Sequence, residues 1–400
     1  MGKTKKKIMI LGASILQVPA IAKAKEMGFE VLAVDMNPNA VGFQFADKKL
    51  VISTIDIDAV VKAAKEEEID AVMTLASDMP MRTVAAVCKE LNLVGIDEET
   101  ALRATNKAEM RKCLKANGVP VPRFYKVSNE EEYIEKVKKF KTRFMVKPAD
   151  NSGSRGVFLV DDAQNEELIS YAYKYSRENS RSGDVVVEEY MQGAEVSVET
   201  LSVDGECHII QITDKLTTGA PNFVEMGHSQ PTQHTPEIVE QIKTVAKMAV
   251  KAIGIKNGPS HTEIIITKSG PKIVELGARL GGDCITTHLV PLSTGVDMVE
   301  NCILIAFGEQ PNILPKWERG AAIRYMPSQP GILKKVSHLE EASKIDDVEE
   351  IQMMKQVGDQ LTAINSSTAR LGFIITTGEK AQTAVDKCYQ AMEKIEIVIE

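Results

Sequence analysis

The stretch KIVELGARLGGD, residues 272–283, decides the fold. It begins as a strand in which strict alternation puts Ile273 and Glu275 on one face of a sheet, and Val274 and Leu276 on the other. An arginine and a Gly-Gly pair follow at once. The strand therefore ends beside a flexible segment that carries a permanently charged guanidinium.

A second apolar run, HTEIIIT at residues 261–267, lies just upstream and is joined to the first by Lys-Ser-Gly-Pro. Two β-branched runs joined by a short segment with Gly and Pro predict a β-hairpin. A register that centres the turn on Ser269 places Glu263 directly opposite Glu275. A slip of one residue would put the two carboxylates on opposite faces, so the interpretation depends on this register.

Two carboxylates on one face, surrounded by Ile and Val, require a cation between them because like charges cannot both stay ionised in a low-dielectric site. Mg²⁺ suits Glu263 and Glu275, since it binds one or two carboxylates together with phosphate oxygens and water. Mn²⁺ is an alternative. Arg279 is predicted to hold the same phosphate, and Asp283 to contact a substrate. The competing interpretation is an exposed hairpin whose glutamates face water.

The composition restricts the class of protein. The 400 residues are enough for two or three domains, and 44% are hydrophobic and 26% charged. A net charge of −8 and a single Trp argue against a nucleic-acid-binding surface. The six scattered Cys form no C-x-x-C pair, and no run of about 18 apolar residues appears. We therefore expect a cytoplasmic protein with small-molecule partners, no nucleic acid and no membrane; a homodimer is left open.

Alternating strand and helix patterns predict a parallel, doubly wound sheet over about the first hundred residues. Its glycine fingerprint is incomplete because Ala13, Ser14 and Ile15 follow Gly12. The broken pattern argues against the alternative of a nicotinamide oxidoreductase, although Asp35 stands where a ribose ligand would. We expect this domain to be mainly structural, with strand ends that line a substrate cleft.

Two later segments are suited to a nucleotide. The strand FMVKP ends with Lys147 and continues into the loop DNSGSRGV, residues 150–157, which is suited to wrapping a phosphate with backbone N–H groups and to closing as a lid. The loop is not a Walker A motif, because no G-K-[ST] ends it. The strand DVVVEEYM, residues 184–191, is suited to holding an adenine. The predicted contacts in these segments are Ser152, Gly153, Ser154, Gly156, Glu188, Glu189, Tyr190 and Met191.

The stretch from residue 213 to residue 237 is rich in polar residues and Pro, and it is predicted to be a long binding loop. We assign substrate selectivity to it, with Lys215 as a substrate contact. Glu225 would hold the incoming amine as an ammonium, and His228 would take its proton. Arg324, on a later strand, would pair with a substrate carboxylate. Equally, Glu225 and His228 are suited to satisfying each other inside an ordered loop.

The order of these parts resembles the ATP-grasp superfamily of carboxylate–amine ligases, most of all the group of L-amino-acid ligases and phosphoribosylglycinamide synthetases. The resemblance covers essentially the whole chain. It implies that Lys107 and Lys147 bind the ATP phosphates, that Glu195 binds the ribose, and that ATP and Mg²⁺ are used. One departure is that Gly277 stands where many members of the superfamily have Asn, which implies weaker or fewer metal ligands.

The resemblance further implies an α/β and α+β architecture with three parts: a Rossmann-like domain at 1–102, an ATP-grasp domain at 103–315, and a small α+β cap at 316–400. The ATP-grasp domain would comprise a small lobe at about 123–190 and a large lobe at about 191–315. The implied reaction joins a carboxylate to an amine through an acyl phosphate. Three alternatives stay open: a phosphoribosylglycinamide-synthetase type of ligase, a carboxylase or carbamoyl-phosphate type, and a non-catalytic ATP sensor.

Overall fold

The computed structural model describes residues 5–400. Its first part is a parallel four-stranded sheet in the order β3-β2-β1-β4, which confirms the alternating pattern read from the sequence. The carboxyl ends of its central strands point towards the other lobes, as expected for a doubly wound sheet. The elements of this part are β1 (Lys7–Leu11), α1 (Val18–Glu26), β2 (Glu30–Val34), β3 (Lys48–Leu50), α2 (Ile57–Glu67), β4 (Ala71–Met73), α3 (Met81–Leu91), α4 (Glu98–Thr105) and α5 (Lys107–Ala116).

A second, antiparallel sheet in the order β5-β8-β6-β7 forms the small lobe. Two helices cover it, and the aromatic rings of Tyr133, Phe144 and Tyr173 fill the core between helices and sheet. This sheet carries Lys147 and Glu188 on its other face, towards the cleft described below. Its elements are β5 (Phe124–Val127), α6 (Glu130–Val137), β6 (Phe144–Pro148), β7 (Phe158–Val160), α7 (Glu166–Glu178) and β8 (Val185–Glu189).

The remainder of the chain contains an eight-stranded sheet in the order β13-β12-β9-β10-β11-β14-β18-β16 and a separate three-stranded sheet in the order β17-β15-β19. Between the small lobe and the predicted cap, the strands are β9 (Ala194–Val203), β10 (Glu206–Thr217), β11 (Glu225–Gln230), β12 (Gly258–Thr267) and β13 (Gly270–Gly277). The helices of the same part are α8 (Pro236–Ile253), α9 (Val290–Thr294) and α10 (Met298–Ala306). The last part contains β14 (Gly320–Tyr325), β15 (Gly331–Ser337), α11 (Leu339–Ser343), β16 (Val348–Met353), β17 (Gln360–Leu361), β18 (Gly372–Gly378), α12 (Ala381–Lys394) and β19 (Glu396–Ile399). Because β11 pairs with β14, the predicted cap shares a sheet with the large lobe.

The prediction of a long loop at 213–237 was wrong. Strand β10 runs on to Thr217, and β11 occupies residues 225–230, so the irregular part is confined to the turn between them and the segment before α8. The stretch is polar because small polar side chains pair inside the sheet. Gln230 donates to Thr213 at 2.8 Å and accepts from Ser293 at 2.9 Å. Buried polar groups that satisfy one another imitate the composition of a loop.

The hairpin β12–β13 has the predicted pairing but a different path. Glu263 lies opposite Glu275, while Ile264 lies opposite Ile273, so Val274 is an extra residue in a β-bulge. The expectation that strict alternation puts Ile273 and Glu275 on one face was therefore wrong. Ile273 and Leu276 belong to the core, whereas Val274 and Glu275 line the cleft. The turn is also shorter than predicted, since Thr267 pairs with Gly270.

Across residues 5–400 no single helix has both the length and the apolar character needed to cross a membrane. The helical segments Ile285–Thr294 and Met298–Ala306 reach that combination only when counted together, and they meet at a bend of 111°.

Candidate active site

A cleft of about 680 Å³ lies where the first sheet, the small lobe and the eight-stranded sheet meet. Its volume is in the range of small-molecule sites. The first domain contributes the carboxyl ends of β1 and β2, including Asp35, so the expectation that strand ends line a cleft is confirmed. The predicted site residues that line the cleft are Lys107, Lys147, Ser152, Gly153, Ser154, Glu188, Glu189, Tyr190, Met191, Glu195, Lys215, Glu225, His228, Glu263, Glu275, Arg279 and Asp283.

Two predicted residues are not among those that line the cleft, Gly156 and Arg324. A Cβ on Gly156 would lie 2.5 Å from Asn179, and its φ of +77° favours glycine, so this position serves the close packing of the loop. Arg324 lies over Gly227 and near the ring of Tyr389 on α12, on the face of the sheet away from the cleft. It donates to the carbonyl oxygen of His228 at 3.1 Å.

The carboxylates of Glu263 and Glu275 form the centre of the cleft floor. Lys107 Nζ lies 2.7 Å from Glu275 Oε1 and also donates to the carbonyl oxygen of Asn151. Lys215 Nζ lies 2.9 Å from Glu263 Oε1. Within residues 5–400 no group of three His, Cys, Asp or Glu residues is suitably placed to hold a metal ion. Two facing carboxylates fit Mg²⁺, which completes its octahedron with phosphate and water.

Lys215 is the single cation in what we call the anionic cluster, which it forms with Glu195, Glu225 and Glu263. Its Nζ lies 2.6 Å from Glu195, 2.9 Å from Glu263 and 3.7 Å from Glu225. Burial opposes its charge, but the three carboxylates outweigh burial and raise the pKa of Lys215 well above its usual value. Burial, with the nearby carboxylates, raises the pKa of Glu195, whereas Lys215 and His261 hold the pKa of Glu263 well below its usual value despite burial. The cluster contains more acid than base.

Arg111, Lys147 and Glu188 form the opposite arrangement, which we call the cationic cluster. Arg111 is completely buried and donates from Nε and Nη2 to Glu188 Oε2 at 3.2 and 3.0 Å, and Lys147 contacts the other oxygen of the same carboxylate. Burial opposes ionisation of Glu188, but the two cations lower its pKa to about 2. Arg111 was not predicted, because its position in α5 gives no sign of a charge-bearing role.

The segment predicted to hold an adenine, residues 184–191, contains β8 and the two residues that follow it. Glu189 Oε2 accepts from the backbone N–H of Arg123 at 3.1 Å, and Tyr190 lies beneath the Arg143 guanidinium with the Phe223 ring 6.4 Å away. Met191 is buried. An apolar side chain and an aromatic ring beside free space are suited to a flat base.

Arg279 is paired with Asp78, a residue of the first domain. It donates from Nε and Nη2 to the two carboxylate oxygens of Asp78 at 2.9 and 3.1 Å, and this pairing raises its pKa although burial opposes the charge. Asp78 was not predicted. It also accounts for Gly277, because a Cβ at that position would lie 2.7 Å from Asp78 Oδ1. The glycine leaves the room that the first domain's carboxylate occupies.

His261 provides a second contact to the floor of the cleft that the sequence did not reveal. Its Nδ1 lies 2.7 Å from Glu199 Oε1, and its Nε2 lies 3.6 Å from Glu263 Oε1. Burial opposes the charged imidazole, but Glu199 outweighs burial and raises the pKa of His261 to about 9. A Cβ on Gly281 would lie 2.7 Å from the His261 ring, so the glycine lets the segment after β13 pass close by.

His228 and Asp283 also line the cleft. His228 is almost completely buried, and its ring nitrogens have no hydrogen-bond partner among the residues that the structure describes; Nε2 lies 3.5 Å from Asp283. Arg370 donates to both oxygens of Asp283 at 2.9 and 3.0 Å and lies 3.6 Å above the ring of Tyr325. His228 and Arg370 hold the pKa of Asp283 well below its usual range despite burial.

Arg370 contacts a carboxylate of the protein itself, that of Asp283, whereas Arg324, for which a contact with a substrate carboxylate was predicted, does not line the cleft. Strand β14 is buried on both faces, so the alternation of its side chains did not predict on which face Arg324 lies. Arg370 comes from an irregular segment far along the chain and carried no motif.

Comparisons with known proteins agree with this geometry. Residues 140–287 match the family model described as the ATP-grasp domain. These residues therefore match an ATP-grasp domain, as the resemblance implied. Residues 324–400 match the model described as L-amino acid ligase C-terminal domain 2.

Individual relatives support the same assignment. The chain is 27% identical to an L-arginine-specific L-amino acid ligase of Bacillus subtilis over 72% of this chain and 71% of that protein. It superposes on an L-amino acid ligase from Bacillus licheniformis with a TM-score of 0.84 and 25% identity, with full coverage of both chains. A phosphoribosylglycinamide synthetase from Anaerococcus prevotii gives a TM-score of 0.79 at 25% identity, over 99% of this chain and 100% of that one. The expectations of an ATP-grasp fold and of an enzyme of the ligase class are confirmed.

Proposed function

We propose that the protein is an ATP- and Mg²⁺-dependent ligase that joins the carboxylate of one small molecule, an amino acid or a similar metabolite, to the amine of another. The observation that carries the proposal is the register of Glu263 and Glu275, which face each other on adjacent strands at the floor of the cleft. Each is already paired with a lysine, Lys215 and Lys107 respectively. These charged groups are suited to the positioning and charge neutralisation on which phosphoryl transfer depends.

The proposed reaction has two steps. An oxygen of the donor carboxylate bonds to the γ-phosphorus of ATP while the bond to the bridging oxygen breaks, which releases ADP. The amine then bonds to the acyl carbon, loses a proton and expels phosphate. When bound, Mg²⁺ would be held by Glu263 and Glu275 and would neutralise phosphate charge.

The chain's own residues position and neutralise the reactants. Lys107, Lys147 and Arg279 would exchange part of their contact with carboxylates for phosphate oxygens, and the Asn-Ser-Gly loop would exclude water from the acyl phosphate. His228 would take the proton of the amine, which is supported by the lack of partners for its ring nitrogens among the described residues. Glu225 would hold the amine as an ammonium before it attacks.

A hydroxamate screen tests the proposal. Hydroxylamine traps an acyl phosphate, so a panel of carboxylic acids with MgATP identifies the donor before the acceptor is known. We expect hydroxamate and ADP in equal amounts with at least one amino acid, and neither product in EDTA. ADP release that requires no carboxylate, or hydroxamate formation in EDTA, would contradict the mechanism.

The second candidate is a ligase of the phosphoribosylglycinamide-synthetase type, favoured by the superposition of the two folds over their full lengths. Such an enzyme would accept phosphoribosylamine in place of an amino acid. A competition assay distinguishes the two candidates. A sugar phosphate should inhibit amide formation, measured without hydroxylamine, only if the cleft has a binding site for its phosphate. The acidic surroundings of Glu225, Glu195 and Asp283 favour an ammonium-bearing acceptor without a phosphate.

A further inference from the structure

The bulge in the hairpin has a dedicated partner outside the sheet. Val274 is the extra residue of β13, and β13 lies at the edge of the eight-stranded sheet. Its carbonyl oxygen accepts a hydrogen bond from Arg111 Nη2 at 2.5 Å. A bulge displaces backbone groups from the ladder, and a carbonyl left unpaired near a core is destabilising. Arg111 supplies the missing donor.

Helix α5 contacts the hairpin at two successive turns. Lys107, its first residue, meets the carboxylate of Glu275, and Arg111, four residues later on the same face, meets the carbonyl of Val274. The same guanidinium is fixed on its other side by Glu188 in β8. Arg111 therefore connects the metal-binding hairpin with the strand of the small lobe that faces the nucleotide.

The bulge decides which way Glu275 points. If the register of Ile264 and Ile273 continued without a bulge, Glu275 would lie opposite Thr262, on the face that packs into the core. With the bulge, Glu275 lies opposite Glu263 and lines the cleft. We propose that Arg111 is a positioning residue, which holds the Val274 bulge and so keeps Glu275 facing Glu263 as a metal-binding pair. The metal-binding part of this inference rests on the proposed function.

The first test reads the register without any metal. Glu263 and Glu275 are both replaced by Cys, and the yield of the disulfide between them under mild oxidation is measured by thiol titration. Opposite residues of an antiparallel pair are close enough to cross-link, whereas residues on opposite faces are not. We expect adding Arg111→Lys to lower the yield at least fivefold, since one ammonium cannot act as a planar fork towards both partners.

Arg103→Lys is the matched control for this experiment. Arg103 also joins a carboxylate, that of Glu99, to a backbone carbonyl, that of Ile253, but its partners belong to α4 and α8 and not to the hairpin. Its replacement should leave the disulfide yield unchanged. An equal disulfide yield with and without Arg111→Lys would overturn the inference.

The second test measures Mn²⁺ and nucleotide binding separately in the otherwise native chain. We expect Arg111→Lys to raise the dissociation constant for Mn²⁺, followed by electron paramagnetic resonance, at least tenfold. The dissociation constant for ADP in EDTA should change less than threefold. Loss of both affinities by the same factor would show a packing role and overturn the inference. If the unsubstituted protein binds no Mn²⁺, the proposed metal site is wrong, and the cross-link still decides the register.

A deletion provides the rescue. Removing Val274 leaves Ile264 opposite Ile273 and Glu263 opposite Glu275 with no bulge to hold. In the Arg111→Lys background we therefore expect deletion of Val274 to bring the Mn²⁺ dissociation constant back to within threefold of the original. If Arg111→Lys alone does not fold, the deletion should restore folding. If the deletion restores neither the Mn²⁺ dissociation constant nor folding, Arg111 acts through Glu188 alone, and the inference is overturned.

Discussion

The cationic and anionic clusters face each other across the same cleft but balance their charges in opposite ways. The cationic cluster has two bases, Arg111 and Lys147, around the single acid Glu188. The anionic cluster has three acids around the single base Lys215. Each cluster is internally paired, yet each has an unmatched charge that a ligand of the other sign would satisfy.

Under the proposed function, this difference assigns each reactant to one of the two clusters. Surplus positive charge beside the Asn-Ser-Gly loop is suited to the phosphates of ATP, and surplus negative charge on β9 to β12 is suited to a divalent cation and an ammonium. The two clusters also differ in exposure. Glu188 and Arg111 are completely buried, whereas the three glutamates of the anionic cluster keep about a quarter of their side chains accessible.

The largest effect is expected on protein stability, when the substitution Glu188→Gln removes the carboxylate of the cationic cluster. Removing one partner of a buried ion pair typically costs about 3–5 kcal/mol of unfolding free energy, because the remaining charges are left uncompensated. Denaturant unfolding at pH 7 measures this loss. Glu240→Gln, which replaces an exposed glutamate paired with Lys243, is the control and should change stability by no more than about 0.5 kcal/mol.

The pH dependence of stability tests the same cluster. The pKa of Glu188 is lowered to about 2, so its contribution is complete above the unfolded value of about 4.3 and is lost as the pH falls towards 2. The unsubstituted protein should lose stability more steeply than Glu188→Gln across this window. Parallel curves would contradict the assigned pairing.

The next effect concerns the anionic side. Glu275→Gln keeps the shape of the side chain but removes a charged ligand from the predicted metal pair. We expect Mg²⁺-dependent ADP release to fall on the order of 10²-fold or more, with thermal stability little changed. Near-normal turnover by the well-folded variant would show that Glu275 serves only to pair with Lys107.

A smaller and more selective effect is expected for Glu225→Ala. If Glu225 holds the acceptor, amide formation should fall about tenfold or more, the loss of one charge-assisted contact, while hydroxamate formation from the donor stays largely intact. Both products are measured in one assay series with and without hydroxylamine. Equal losses of the two products would instead assign Glu225 to the donor step or to support of Lys215.

The smallest effect is expected for Gly277→Ala. The added Cβ would displace the Asp78 carboxylate, which is the flexible end of a side chain, so stability should change by less than about 1 kcal/mol. The orientation of Arg279 should suffer more, and a few-fold rise in KM for ATP is the expected result. Gly282→Ala is the control because its nearest neighbour would be 3.7 Å away. Identical kinetics of the two variants would show that Asp78 does not orient Arg279.

The sequence predicted those parts of the fold that depend on the order of strands and helices and on the periodicity of apolar residues. The alternating pattern predicted the parallel sheet of the first domain, and the predicted site residues line the cleft, apart from Gly156 and Arg324. The face-to-face pairing of Glu263 and Glu275 was predicted for a partly wrong reason, since the bulge at Val274 compensates for a tighter turn.

The residues that the sequence analysis missed share a physical cause. Asp78, Arg111 and Arg370 each act on a side chain more than 75 positions away along the chain, so no local spacing reveals them. Arg324 was placed wrongly because a strand buried on both faces gives its arginine no preferred side. The strand β11 was missed because its buried polar residues satisfy one another and imitate a loop.

The shared eight-stranded sheet bears on how this enzyme is to be engineered. A chimaera that exchanges residues 316–400 for those of a relative would have to pair β11 with a foreign strand in place of β14, and an unpaired β11 would be an edge that invites aggregation. It would also remove Arg370 from Asp283. The small lobe, by contrast, has a sheet of its own, so its exchange interrupts no other sheet. Under the proposed function, nucleotide preference is therefore open to module exchange, whereas acceptor preference is to be altered by point substitutions in β11 together with Arg370.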